Sequence, residues 1–177
     1  MAGASAGVVD GMSTATAVAL ESVPFTALDG TQTTIGALGG SVHLIANVAS
    51  RCGFTPQYAA LERLWETYRD RGLMVVGFPT NQFLQELGSE DAIAEFCQVT
   101  YGVTFPMSAK VKVNGRGRHP LFDQLTAVPD AEGKAGRVAW NFEKWVVAPD
   151  GTAHRFRSRT EPDAPEVVAL IEAALGA

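Results

Sequence analysis

The chain has 177 residues, 46% of them apolar, and its 14 basic and 19 acidic side chains give a formal charge of -5. That length suits one α/β domain whose core needs no disulfide scaffold. The composition excludes a disordered chain, no run is long enough to span a bilayer, and the acidic balance argues against a broad nucleic-acid-binding surface.

Met1–Ala19 is mostly Ala, Gly, Ser, Thr and Val without a period, and is expected to be a flexible leader before one domain over residues 20–177. It lacks the basic start and compact apolar core of a secretory signal, so cytoplasmic residence is expected. Structure is expected from about Ser22, with Val23–Pro24–Phe25 entering a hairpin turned at Asp29–Gly30. Val42–Ala49 (VHLIANVA) reads as a central strand buried on both faces. A helix follows, capped by Thr55 with Pro56 in its first turn and Tyr58, Leu61, Leu64, Trp65 and Tyr68 at helical spacing. Leu73–Phe78 (LMVVGF) is a second central strand, and the right-handed crossover rule makes the two strands parallel.

After a polar loop over Pro79–Gly88, Ser89 caps a helix with Glu90 and Asp91 in its first turn and Ile93, Phe96 and Cys97 on one side. Met107–Val113 reads as a strand, Asn114–Gly115 as a turn, and His119–Pro120 as the start of a short helix over Leu121–Leu125. Trp145–Ala148 and Ala153–Arg157 flank the hairpin signal Pro149–Asp150–Gly151, and Val167, Leu170, Ile171 and Leu175 mark a last helix. Ala127–Gly136 reads as a polar loop.

Two cysteines are too few for a disulfide-rich framework and enough for one redox pair. Cys52 lies between a strand end and a helix amino terminus, where partial positive charge and unpaired backbone donors favour thiolate over thiol. The bland alternative is a small apolar filler. Cys52–Gly53–Phe54–Thr55 has no second cysteine three positions on, so a vicinal dithiol is excluded. Cys97 stands 45 positions away and reads equally as a redox partner or as packing beside Ile93 and Phe96. A direct bridge needs Cα atoms within about 7 Å, and a larger separation requires local unwinding of the helix.

Four segments together resemble the glutathione peroxidase family: Asn47–Thr55 (NVASRCGFT), Gly77–Phe83 (GFPTNQF), Tyr101–Met107 (YGVTFPM) and Trp140–Lys144 (WNFEK). The resemblance runs from about Phe25 to Leu175 and is closest to the non-selenium, thioredoxin-dependent branch. It implies a thioredoxin-like α/β fold with a central mixed sheet flanked by helices. It also implies that Cys52 is the peroxidatic nucleophile, standing where some relatives carry selenocysteine. Gln85, Trp140 and Asn141 match the residues that stabilise the thiolate and the transition state, and neutral amides and an indole N–H suit that role. Cys97 matches the resolving cysteine, whose attack on a Cys52 sulfenic acid gives a disulfide for thioredoxin to reduce.

The family pattern Gly-x-Gln-Glu-Pro is Leu84–Gln85–Glu86–Leu87 here, one residue shorter and without Gly or Pro. Gln82 is the alternative to Gln85. Thr80 replaces the cysteine usual in that segment and is not redox-active. No bound cofactor or metal is expected, and His43, His119 and His154 lack metal-ligand spacing. The resemblance implies hydrogen peroxide and small organic hydroperoxides as substrates, thioredoxin as reductant with glutathione the alternative, and a monomer with weak dimerisation left open. A peroxide-sensing relay and a non-catalytic thioredoxin-fold binding protein are the competing classes. Arg155, Arg157 and Arg159 alternate, giving either a basic patch or ordinary solvated side chains. Pro106 is where thioredoxin-like folds place a cis proline.

Overall fold

A computed structural model describes residues 16–176. Its first elements are β1 (Thr16–Ala17), β2 (Pro24–Thr26), β3 (Gln32–Thr34) and the single turn α1 (Ile35–Leu38). The central strand β4 (Val42–Val48) follows, then α2 (Gln57–Tyr68), β5 (Leu73–Pro79) and α3 (Glu90–Tyr101). The chain closes with α4 (Pro120–Leu125), β6 (Lys144–Val147), β7 (Thr152–Phe156) and α5 (Pro165–Leu175). The main sheet has the order β1-β7-β6-β4-β5; β4 and β5 run parallel, and the other neighbours are antiparallel. This is the mixed sheet expected of a thioredoxin-like α/β fold, with the 24–34 hairpin as a separate pair.

Side-chain alternation explains why the two central strands are almost continuously apolar. Val42, Leu44, Ala46 and Val48 of β4 join Leu73 and Val75 of β5 on one face, under α2, α3 and α5. Ile45, Met74, Val76 and Phe78 point to the other, under Leu121, Phe122 and Leu125 of α4 with Leu20, Phe25 and Ile35. Burial on both faces leaves no place for a polar alternation. Each fully buried aliphatic side chain contributes about 1.5–3 kcal/mol. Gly151 turns the β6–β7 hairpin at φ 88°, where a Cβ would stand 2.5 Å from the Val18 carbonyl oxygen.

Four expectations need correction. The expected leader lies for residues 1–15 outside the described residues, but β1 pairs with β7 and the Ala19 amide donates to Gln124 Oε1, so ordered structure begins before Ser22. Met107–Val113 is not a strand. Ser108 donates to Gly77 and Val111 to Pro79, but Ala109 donates to Thr26 on the hairpin, so the segment bridges two sheets without continuing either. Thr55 does not cap α2, which starts at Gln57 with Pro56 at the cap position. No peptide bond among the described residues is cis, including the one before Pro106.

Candidate active site

Thr55 shapes the turn that carries Cys52. Its hydroxyl accepts from the Cys52 amide (2.9 Å) and donates to the Ala49 carbonyl (2.8 Å), joining the turn to the end of β4. Its own amide donates to the Cys52 carbonyl, and Gln57 and Tyr58 donate to Phe54 and Thr55 as the chain winds into α2. The result aims the Phe54 N–H at Cys52 Sγ (3.3 Å), with the cysteine only 7% exposed. A backbone donor thus stands where the charge of a thiolate sits.

The 81–87 loop closes on this turn. Arg51 donates its amide to the Gln85 carbonyl, and Ser50 donates its amide to Glu86 Oε1 (3.1 Å). Burial raises the Glu86 carboxyl above its ordinary range, against the amides of Ser50 and Leu87 that bond it. The shortened loop makes its bend through Leu84 in the left-handed region, φ 60°. Gln85 then meets Asn141, whose Nδ2 donates to Gln85 Oε1 (3.1 Å). Gln82 is committed elsewhere: its amide bonds the backbone of Val113 and Asn114. Asn141 is fully buried and its Oδ1 has no partner within the protein. Next to it, Trp140 is 37% exposed, with its ring centroid 5.1 Å from that of Phe83.

Two residues that sequence reasoning gave no separate role, Asn47 and Glu143, hold the segment bearing Trp140 and Asn141. The Asn47 side chain donates to the Trp140 carbonyl and accepts from the Glu143 amide, and its backbone carbonyl accepts from Phe142, which adopts φ 63°. The signal was available as a buried polar residue inside a mostly apolar strand. Glu143, fully buried, accepts the Ala139 amide on Oε2 and both Arg155 and Arg157 on Oε1. Arg155 also donates to the carbonyls of Thr126, Val128, Gly136 and Arg137, and Arg157 pairs with Asp130. The alternating arginines therefore form no shared basic patch: Arg155 is 2% exposed and, with the half-buried Arg157, clamps the 126–137 loop to the end of the β6–β7 hairpin, while Arg159 is exposed as an ordinary solvated side chain. Lys144 is likewise buried, its Nζ donating to Gln57 Oε1 and to the carbonyls of Arg157 and Ser158, and burial pulls it down to about 7.

Cys97 lies on the inner side of α3, 2% exposed, in the same apolar cluster as Cys52; both thiols are free and no bond joins them. Burial pushes the Cys97 thiol up to about 11, and the Glu86 charge adds to the rise while the neighbouring Tyr58 hydroxyl opposes it. Its outer side borders a cavity of about 380 Å³ with Leu28, Val103, Phe105 and Met107. His119 caps α4 through Nδ1, accepting from Leu121. Among the described residues no three His, Cys, Asp or Glu side chains gather as a metal site. The structure thus connects the Cys52 turn, Gln85, Asn141 and Trp140 through consecutive contacts, and leaves Cys97 on a neighbouring helix.

The glutathione peroxidase family model matches residues 21–126. The chain belongs to the glutathione peroxidase family. The thioredoxin/glutathione peroxidase BtuE of Escherichia coli is 44% identical over 169 residues, which cover 84% of this chain and 92% of the relative. The glutathione peroxidase-like peroxiredoxin gpx1 of Schizosaccharomyces pombe is 46% identical over 137 residues, 76% of this chain and 86% of the relative. Among solved structures, the apo form of Trgpx superimposes with a TM-score of 0.71 at 31% identity, covering 92% of this chain and 98% of that one. With cysteine as its chalcogen residue, this member is a thiol-dependent peroxidase acting on peroxides.

Proposed function

We propose that Cys52 is the peroxidatic residue, that Gln85, Trp140 and Asn141 stabilise its thiolate and the transition state, and that Cys97 resolves the oxidised form for reduction by thioredoxin. The observation that carries the reading is the linked set at the end of β4: Phe54 N–H on Cys52 Sγ, Arg51 on the Gln85 carbonyl, and Asn141 on the Gln85 amide. The Cys52 thiolate attacks one oxygen of the hydroperoxide, the O–O bond breaks, and the other oxygen leaves as water or alcohol after taking a proton. Sulfur gains the oxygen as sulfenic acid. Amide donors serve the leaving oxygen without forming a competing ion pair.

In the second step the Cys97 sulfur displaces water from the sulfenic acid, giving a Cys52–Cys97 disulfide, and the dithiol of thioredoxin reduces it by exchange. The burial that keeps Cys97 as a thiol opposes this attack, so the end of α3 opens first. Gln98, Val99 and Thr100, the turn after Cys97, are exposed, which makes that end the least costly part of the helix to release. Thioredoxin is favoured over glutathione because a second cysteine stands on a helix facing the same cluster as Cys52; the Escherichia coli relative, named for both reductants, keeps glutathione as the alternative. In this reading the enzyme is a cytoplasmic monomer that reduces hydrogen peroxide and small organic hydroperoxides.

Replacing each cysteine tests the roles. Cys52→Ser should abolish rapid peroxide consumption. Cys97→Ser should still form the Cys52 sulfenic acid but lose cycling with thioredoxin and thioredoxin reductase. Wild-type turnover in the first variant, or full thioredoxin-supported cycling in the second, contradicts the assigned roles.

A further inference from the structure

The bend between β5 and α3 is made by a residue poorly suited to it. Leu84 holds φ 60°, a region costly for leucine and nearly free for glycine or asparagine. Leu84 is 86% exposed, so packing within the chain does not offset that strain. Strain that the fold does not reward collects at functional positions.

Its neighbours give the position meaning. Phe83, one residue before, lies against Trp140, and Trp140 is itself partly open to solvent. Gln85, one residue after, holds Asn141 with its side chain and the Arg51 amide with its carbonyl. Leu84 therefore stands in the chain between the aromatic pair and the glutamine, in a loop whose Gln85 carbonyl is bonded to the Arg51 amide next to Cys52, so that Phe83, Leu84 and Trp140 bring apolar side chains to the segments bonded to the Cys52 turn. Hydrogen peroxide has no use for these side chains. An organic hydroperoxide whose O–O bond is at Cys52 must carry its alkyl chain away from the site, and the chain leaves water wherever it meets apolar side chains.

We propose that Leu84, with Phe83 and Trp140, forms a rim that binds the alkyl tail of organic hydroperoxides, making Leu84 a specificity-determining residue. The proposal rests on Cys52 being the peroxidatic residue. Covering most of one leucine side chain with an alkyl tail is worth roughly tenfold in affinity. Rigid display by a strained bend spares the ordering cost a mobile loop would add.

The test is the second-order rate of Cys52 oxidation, in single turnover on the full chain, by hydrogen peroxide and by straight-chain alkyl hydroperoxides from ethyl to octyl. Leu84→Asn keeps the left-handed bend and removes the apolar surface; Leu84→Met restores apolar surface. The wild-type rate, relative to its rate with hydrogen peroxide, should rise with chain length. In Leu84→Asn that ratio should fall roughly tenfold for the octyl compound, and in Leu84→Met it should return. An unchanged ratio in Leu84→Asn overturns the proposal, including the case in which only reduction by thioredoxin weakens, which would mark Leu84 as a partner contact. If no peroxide oxidises Cys52 in the wild type, the peroxidase reading itself falls and the rim with it.

Discussion

Glu143→Gln removes one charge from the least exposed part of the site's support. Glu143 Oε1 receives Arg155 Nε and Nη2 and Arg157 Nη1, each at 2.8 Å, while Oε2 receives the Ala139 amide at 2.6 Å. The Glu143 and Arg155 side chains are both 0% exposed. Glutamine offers a single acceptor oxygen, so its NH2 must face either the guanidinium groups or the Ala139 N–H. Arg157 keeps Asp130, but Arg155 is left as a buried cation whose remaining partners are carbonyls. Removing one partner of a buried pair costs about 3–5 kcal/mol. At about 2–4 °C per kcal/mol for a chain of this size, the midpoint should drop by roughly 6–20 °C. Urea unfolding with linear extrapolation measures the free energy directly. The exposed pair Arg63–Asp163 is the control: Arg63→Ala should cost no more than about 1 kcal/mol. The Ala139 amide starts the segment bearing Trp140 and Asn141, so Cys52 oxidation should slow in the same variant. A loss below about 1 kcal/mol would refute the view that this pair anchors the site.

Asn141→Ala removes the side chain that bonds Gln85, and Cys52 oxidation by hydrogen peroxide should slow by about 10²–10³-fold, as for the loss of one donor to a developing oxyanion. Stopped-flow oxidation at matched thermal stability checks this, and a change under threefold contradicts a catalytic role. Cys97 gives a pH prediction. Its thiol is raised from 9.0 to about 11 in the folded protein, so its thiolate fraction at pH 8 is roughly a hundredth of that in the unfolded chain. Iodoacetamide should label Cys97 at least that much more slowly in native than in denatured protein; equal rates contradict the burial argument. The same shift has a stability consequence. The native state holds this proton more tightly, so the contribution is complete below about pH 9 and is lost as pH rises towards 11. Relative to Cys97→Ala, the wild type should lose stability across that alkaline window, measured by urea midpoints.

The parallel core was readable because its strands are apolar almost without interruption, His43 and Asn47 being the exceptions. VHLIANVA and LMVVGF admit only burial on both faces, and β4 and β5 show it. Ser89, His119 and Pro149–Asp150–Gly151 are local signals whose physics does not depend on tertiary partners, and each is where the sequence put it. What escaped is what depends on distant partners. Met107–Val113 has strand-like residues, but its amides divide between Gly77, Pro79 and Thr26. Thr55 has a capping side chain, but the Cys52 amide and Ala49 carbonyl claim its hydroxyl. Arg155 looks like surface on any composition argument, and only the approach of Glu143 across the β6–β7 hairpin makes it core. At the site, the motifs carried Cys52, Trp140 and Asn141. The choice of Gln85 over Gln82 gains support from the bonds that bind Gln82 to Val113 and Asn114.

The most direct measurement is intact-mass analysis with disulfide mapping of fully reduced protein given one equivalent of hydrogen peroxide. The account predicts rapid loss of both free thiols and one Cys52–Cys97 disulfide, reversed by reduced thioredoxin. No rapid change at Cys52 would contradict it and favour a thioredoxin-fold binding protein without turnover.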